Sequence, residues 1–175
     1  MNKIMILTGY SATGKSTLTK QFEKQGFGVL HPTAVLLEYL RTIGYDSTDE
    51  YYHDKGKENG FELRRQLTIK KVNQLLQSKN VIIEGLYDSK LLSRLSRTFG
   101  RKNIFVVGLS ANQQFKLMTL RRRQESQKEA LDKDRIKDKH GLSTILGKAD
   151  LIVDVTKTPS SMANHVLNHY KRYFK

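Results

Sequence analysis

Gly9-Tyr10-Ser11-Ala12-Thr13-Gly14-Lys15-Ser16-Thr17 is the stretch on which the reading of this chain turns. It matches the pattern G-x-x-x-x-G-K-[ST]. It lies between a short apolar run, Lys3-Ile4-Met5-Ile6-Leu7-Thr8, and a segment over 15–25 with Leu18 and Phe22 four residues apart, ended by Gly26. A buried strand, a tight turn and a helix in that order is the context the pattern requires. The two glycines let successive backbone N–H groups turn inward, and the helix adds its positive end, so the loop forms a nest for an anion. Gly9, Ser11, Ala12, Thr13, Gly14, Lys15, Ser16 and Thr17 are therefore the candidate residues for a bound polyphosphate. Lys15 reaches the outer phosphates as a point charge, Ser16 offers a hydroxyl to Mg²⁺, and Thr17 can donate to an inner phosphate.

Working outward, strand and helix signals alternate along the whole chain, the pattern of an α/β fold with a mainly parallel sheet. Gly28-Val29-Leu30-His31 predicts a second strand. Thr33 can cap a helix carrying Leu36, Leu37, Leu40 and Ile43 on one face and stopping at Gly44. Residues 45–60 lack periodicity and are expected to form a mobile loop or short helix. A helix over about 61–78 turns Leu63, Leu67, Val72 and Leu75/Leu76 inward. Strands are predicted at Val81-Ile82-Ile83, Ile104 to Leu109 and Ala149 to Val155, with helices over 88–99 and 111–124 between them. Residues 125–140 are a charged stretch. Thr158-Pro159 opens a last helix that buries Met162, Val166 and Tyr170.

Two further features carry chemistry. Glu84 ends the Val81-Ile82-Ile83 strand and precedes Gly85; a carboxylate there, beside the first strand, can hold Mg²⁺, usually through water. Arg121-Arg122-Arg123 ends a helix and precedes the charged stretch. Phosphoryl transfer relies on positioning and on cations that meet the charge on the γ-phosphoryl oxygens, and arginine's planar fork suits that task. Lys15, Arg122 and Arg123 are the candidate catalytic groups and Arg121 a nucleotide contact, with Arg135 and Lys139 as further lid cations. Ser16 and Glu84 are the candidate metal ligands.

The chain has 175 residues, a size that fits one domain. There is no cysteine, which removes disulfides, thiolate metal sites and a cysteine nucleophile. His165 and His169 are spaced four apart but read as a helix surface pair. No apolar run reaches the roughly 18–20 residues needed to cross a bilayer, and the run after Met1 is shorter than a signal-peptide core of about 7–15 residues. A cytoplasmic protein without membrane contact is expected. The net charge of +14 points to an anionic partner, small or large. A guanine-specific switch would need an N-K-x-D segment, and none exists.

The order of these motifs, from the N-terminal loop through Ile82-Ile83-Glu84-Gly85 and the arginine cluster to Ala149-Asp150-Leu151-Ile152-Val153-Asp154, resembles the nucleoside monophosphate kinase group. The likeness is greatest to dephospho-CoA kinase and the small archaeal adenylate-kinase-like proteins. It implies a three-layer P-loop NTPase fold with a five-stranded parallel sheet of order 2-3-1-4-5. It also implies one domain over 1–175, an acceptor-binding region over about 31–78 and a small helical lid over about 121–141. The implied activity is ATP- and Mg²⁺-dependent transfer of the γ-phosphate to a small anionic, nucleotide-like acceptor, of nucleoside monophosphate or dephospho-CoA type. His31, Arg41, Arg64 and Arg65 are the candidate acceptor-binding residues, with Tyr51 and Tyr52 available to stack on a base. The segment His31-Pro32-Thr33 departs from dephospho-CoA kinases, which carry carboxylates there. The segment Glu84-Gly85-Leu86-Tyr87-Asp88 lacks the arginine of adenylate kinases. The alternative is a P-loop ATPase or kinase acting on RNA or DNA, raised by the net charge and by Lys171, Arg172 and Lys175.

Overall fold

A computed structural model describes residues 2–155 and 158–175. Strand β1 (Ile4–Gly9) is followed by α1 (Lys15–Glu23), β2 (Gly28–Leu30), α2 (Pro32–Thr42), α3 (Thr48–Lys55) and α4 (Lys57–Leu76). Then come β3 (Val81–Glu84), α5 (Ser89–Phe99), β4 (Ile104–Ser110), α6 (Gln113–Arg122), α7 (Gln127–Lys139), α8 (Leu142–Gly147), β5 (Leu151–Asp154) and α9 (Pro159–Tyr173). The five strands pair in parallel in the order β2-β3-β1-β4-β5, as the three-layer P-loop NTPase fold requires.

Parallel strands covered on both faces need continuous apolar runs, and β1 is buried along its whole length. Alternate residues divide the core. Met5, Leu7, Phe105 and Val107 meet Leu18 and Phe22 of α1 and Met162, Val166 and Tyr170 of α9 on one face. Ile4, Ile6, Ile83 and Val106 meet Val72, Leu91, Leu95 and Ile145 on the other. Burying one such side chain contributes about 1.5–3 kcal/mol. The chain leaves β1 toward β2 and leaves β3 toward β4, so the carboxyl ends of the neighbours β1 and β3 bound the crevice where ligands bind in open α/β sheets.

Of the mobile loop or short helix expected over 45–60, the structure has a short helix at 48–55: the Ser47 hydroxyl accepts from the Glu50 N–H, and Asp49 and Glu50 lie in the positive first turn. Several other local expectations are corrected. Gly56 then separates α3 from α4, which begins at Lys57 instead of 61. Gly60 sits inside a helix because a Cβ there would come within 2.1 Å of the Tyr52 ring. The buried line of α4 is Phe61, Arg64, Arg65, Thr68 and Val72, so Leu63 and Leu67 are only partly covered. On α2, Leu36 and Leu40 are buried, but Ile43 is 47% exposed. The helix starts at Pro32, not after Thr33, with His31 as an N-cap whose side chain makes no capping bond. The charged stretch forms α7, opened by a reciprocal capping box between Ser126 and Glu129. The short helix α8 was not foreseen.

Candidate functional site

The loop between β1 and α1 holds left-handed backbone conformations. Gly14 takes φ 75°, and Ala12, with a Cβ, takes φ 58°. At Gly9 a side chain would meet the Leu109 carbonyl oxygen at 2.7 Å, so the loop approaches β4 too closely for any other residue. Lys15 folds back along the loop. Its Nζ donates to the carbonyl oxygens of Gly9 at 2.9 Å and Tyr10 at 2.5 Å and lies 3.2 Å from Thr13 Oγ1. Burial lowers the Lys15 pKa to about 7, and the nearby Lys137 charge pushes the same way against Glu84 and Asp134.

Parallel pairing of Leu7 with Glu84 sets the carboxylate beside this loop. Ser16 Oγ donates to Glu84 Oε1 at 2.7 Å, and His31 Nε2 lies 3.0 Å from Glu84 Oε2. Burial by itself pushes the Glu84 carboxyl up; the hydrogen bonds from His31 and Ser16 outweigh it and hold it below the usual range. Glu84 is therefore an anion at neutral pH. Two hard oxygens fit Mg²⁺, which keeps waters and phosphate oxygens for its other positions. His31 stands at the crevice, but its ring is engaged with Glu84.

A cavity of about 230 Å³ opens over the loop, lined among others by Lys15, His31, Glu84, Arg123, Lys133 and Lys137. Of the three arginines, Arg123 reaches it; Arg121 and Arg122 are exposed on the last turn of α6 and do not line it. Successive helical residues turn by about 100°, so three in a row cannot face one ligand. Arg135 is exposed and paired with Asp132, and Lys139 is exposed. The cations of α7 that line the cavity are instead Lys133 and Lys137. The sequence offers one small apolar residue in this charged helix, Ala130, and the structure buries it against Ala12 and Leu120. Lys133, Asp134 and Lys137 follow it at i+3, i+4 and i+7, hence on its face.

Contacts between α7 and the loop are direct. Ser11 donates to Asp134 Oδ1 from its backbone N–H at 2.8 Å and from its hydroxyl at 2.7 Å. Lys137 Nζ donates to the same oxygen at 2.8 Å and to Ser11 Oγ at 2.7 Å. Tyr10 donates its hydroxyl to Asp138 at 2.9 Å. Burial would raise the Asp134 carboxyl, yet the donors from Lys137 and Ser11 hold it below the ordinary aspartate range.

The proposed acceptor residues are placed differently from expectation. Arg64 and Arg65 are 2% and 3% exposed. Arg65 Nε donates to Asp88 Oδ2 at 2.8 Å, and Arg64 Nη2 lies 3.5 Å from the same oxygen. Arg64 Nη1 donates to the Tyr87 hydroxyl at 2.7 Å, and its guanidinium covers the Phe61 ring at 4.3 Å. These two arginines hold α4 to the β3–α5 connection and do not line the cavity. Arg41 is exposed in the last turn of α2, about 15 Å along the helix from its His31 end. Tyr52 stacks on Phe61 and Tyr51 packs edge-on to Tyr45, so both rings have partners within the chain.

Comparisons with known proteins agree with this architecture. A scan for protein families matched no family model. The chain is 26% identical over 164 residues to a UPF0200 protein of Pyrococcus furiosus, covering 86% of each. It is 29% identical over 111 residues to a UPF0200 protein of Thermococcus kodakarensis, covering 61% of this chain and 60% of that one. Among solved structures, shikimate kinase from Bacteroides thetaiotaomicron superposes with a TM-score of 0.67 at 18% identity, covering 97% of this chain and 98% of the other. The Acinetobacter baumannii shikimate kinase in complex with shikimate gives 0.65 at 16% identity, covering 98% and 94%. The fold is the α/β three-layer P-loop NTPase fold, which these shikimate kinases share. Among the described residues, no helix is long and apolar enough to cross a membrane.

Proposed function

We propose that this chain is an ATP- and Mg²⁺-dependent phosphotransferase that moves the γ-phosphoryl group to a small anionic, nucleotide-like acceptor of nucleoside monophosphate or dephospho-CoA type. The observation that carries this reading is the 2.7 Å contact between Ser16 Oγ and Glu84. A metal-ligand pair is assembled from the first turn of α1 and the end of β3, at the point where the loop and Lys15 open onto a cationic cavity. Mg²⁺ held by Ser16 and Glu84 supplies neutralisation of phosphate charge. Amides of the loop bind the inner phosphates at the start of α1. Lys15 leaves its carbonyl partners for phosphate oxygens, and Arg123 with the lysines of α7 offsets charge on the transferred group. His31, beside Glu84, borders the acceptor side of the cavity.

The test is ATP turnover measured against a panel of nucleoside monophosphates, dephospho-CoA, nucleosides and shikimate. Stimulation by a nucleoside monophosphate or dephospho-CoA supports the reading, stimulation by a nucleoside or shikimate alone overturns the acceptor, and failure of ATP·Mg²⁺ to bind at millimolar concentration overturns the whole. A second expected result concerns the metal alone. Glu84→Gln removes a carboxylate oxygen while keeping the shape, and should raise the Mg²⁺ concentration for half-maximal turnover about 10–100-fold. An unchanged Mg²⁺ titration removes Glu84 from the site.

A further inference from the structure

Asp134 Oδ1 accepts from three donors: the Ser11 N–H at 2.8 Å, the Ser11 hydroxyl at 2.7 Å and the Lys137 ammonium at 2.8 Å. Three converging donors, one of them cationic, are a binding arrangement for an anionic oxygen. Ser11 and Lys137 both line the cavity over the loop, Asp134 reaches them from the adjoining cavity, and Ser11 precedes the residues that open α1, so these donors are placed for the outermost group of a bound polyphosphate. Lys137 reaches across from the lid to complete the set. Lys133 and Asp134 leave α7 on one face with Ala130, which is buried against Ala12 of the loop and Leu120 of α6. That apolar contact anchors the lid without the carboxylate.

We infer that Asp134 is an internal stand-in for a γ-phosphoryl oxygen, and that Lys137 is the lid cation that passes from Asp134 to the γ-phosphoryl group when ATP binds. This rests on the phosphotransferase reading above and extends it. The carboxylate keeps Lys137 and Ser11 oriented toward the loop before the substrate arrives, so little reorganisation remains at the chemical step. A nucleotide that brings a γ-phosphoryl must displace Asp134 to take its three donors, so the carboxylate competes with ATP, whereas a diphosphate leaves Asp134 in place. Asp138, which holds the Tyr10 hydroxyl at 2.9 Å, takes no part in that exchange and keeps the lid in contact with the loop.

Calorimetry on purified protein tests this with ATP·Mg²⁺ and ADP·Mg²⁺ on wild type, Asp134→Asn and Asp138→Asn. Removing the internal competitor should tighten ATP about tenfold in Asp134→Asn and leave ADP within about twofold. Asp138→Asn removes the same charge from the same helix and should shift neither nucleotide by more than about twofold. Equal tightening of ATP and ADP in Asp134→Asn, or an equal gain in Asp138→Asn, would show a general charge effect and overturn the inference. So would unchanged ATP affinity in Asp134→Asn. Lys137→Met should lower kcat with little change in KM, and the reverse pattern contradicts its assigned contact. If the wild type takes up no ATP, the phosphotransferase reading fails; if it binds ATP but the Asp134 variant does not discriminate, only the stand-in fails.

Discussion

Lys15→Met should slow the proposed phosphoryl transfer by about a thousandfold while the fold survives, the loss typical of removing one preorganised charge donor from a transition state. The side chain points into the ligand loop and contributes nothing to either face of the apolar core. The same substitution reports on stability. Burial lowers the Lys15 pKa to about 7 in the folded chain, against 10.5 for a free lysine. Between those values the unfolded chain binds the extra proton, so this group makes stability rise with pH from about 7 to about 10.5. Below that window both states are protonated and the full penalty of the buried charge applies. Thermal unfolding of wild type and Lys15→Met followed across that range should show the wild type gaining on the variant as pH rises. A difference independent of pH would mean that the ammonium is not buried against the loop. Near-normal turnover in Lys15→Met would sink the site.

Asp88→Ala should cost about 3 kcal/mol, since it takes the buried counter-charge from Arg64 and the nearest one from Arg65, which keeps only Glu62 at 3.5 Å and Glu58 at 3.7 Å; for a chain of this size that lowers Tm by roughly 10 °C. Asp88 Oδ2 serves Arg65 at 2.8 Å and lies 3.5 Å from Arg64, while Oδ1 accepts from the N–H groups of Lys90 and Leu91 at 3.0 and 3.2 Å and so caps α5. Asp88→Asn separates the two roles, because asparagine caps a helix about as well as aspartate. It should recover about 1 kcal/mol of the loss and no more. Denaturant unfolding measures both. Values for the two variants within about 1 kcal/mol of wild type would mean that the arginines are not desolvated around Asp88, and would restore them as candidates for an acceptor.

The phosphate loop was legible because its chemistry is local. Gly9, Gly14, Lys15 and Ser16 act through backbone angles and a fixed spacing that nine consecutive residues display in full. Glu84 was legible for a related reason: an acidic residue that closes an apolar strand stands at the carboxyl edge of a parallel sheet wherever that sheet forms. The adjacent Arg64 and Arg65 were misplaced because charged residues in a helix are usually solvated, and nothing nearby in the chain announces Asp88, which meets them from 23 positions away. Lys137 was passed over in favour of Arg135 and Lys139 for a similar reason. In a run of alternating charges only the burial of Ala130 tells which face is turned inward.

From the sequence by itself came the parallel α/β architecture, the glycine turn proposed to bind an anion and the proposed Mg²⁺ residues Ser16 and Glu84, since periodicity and loop chemistry act over a few neighbours. The tertiary structure alone decided which cations face the cavity, that Arg64 and Arg65 serve the fold, and that Asp134 sits among the donors of Ser11 and Lys137. Those outcomes depend on helices distant in the chain packing in one register, where desolvation makes an unpartnered charge too unfavourable to keep and so selects the partner.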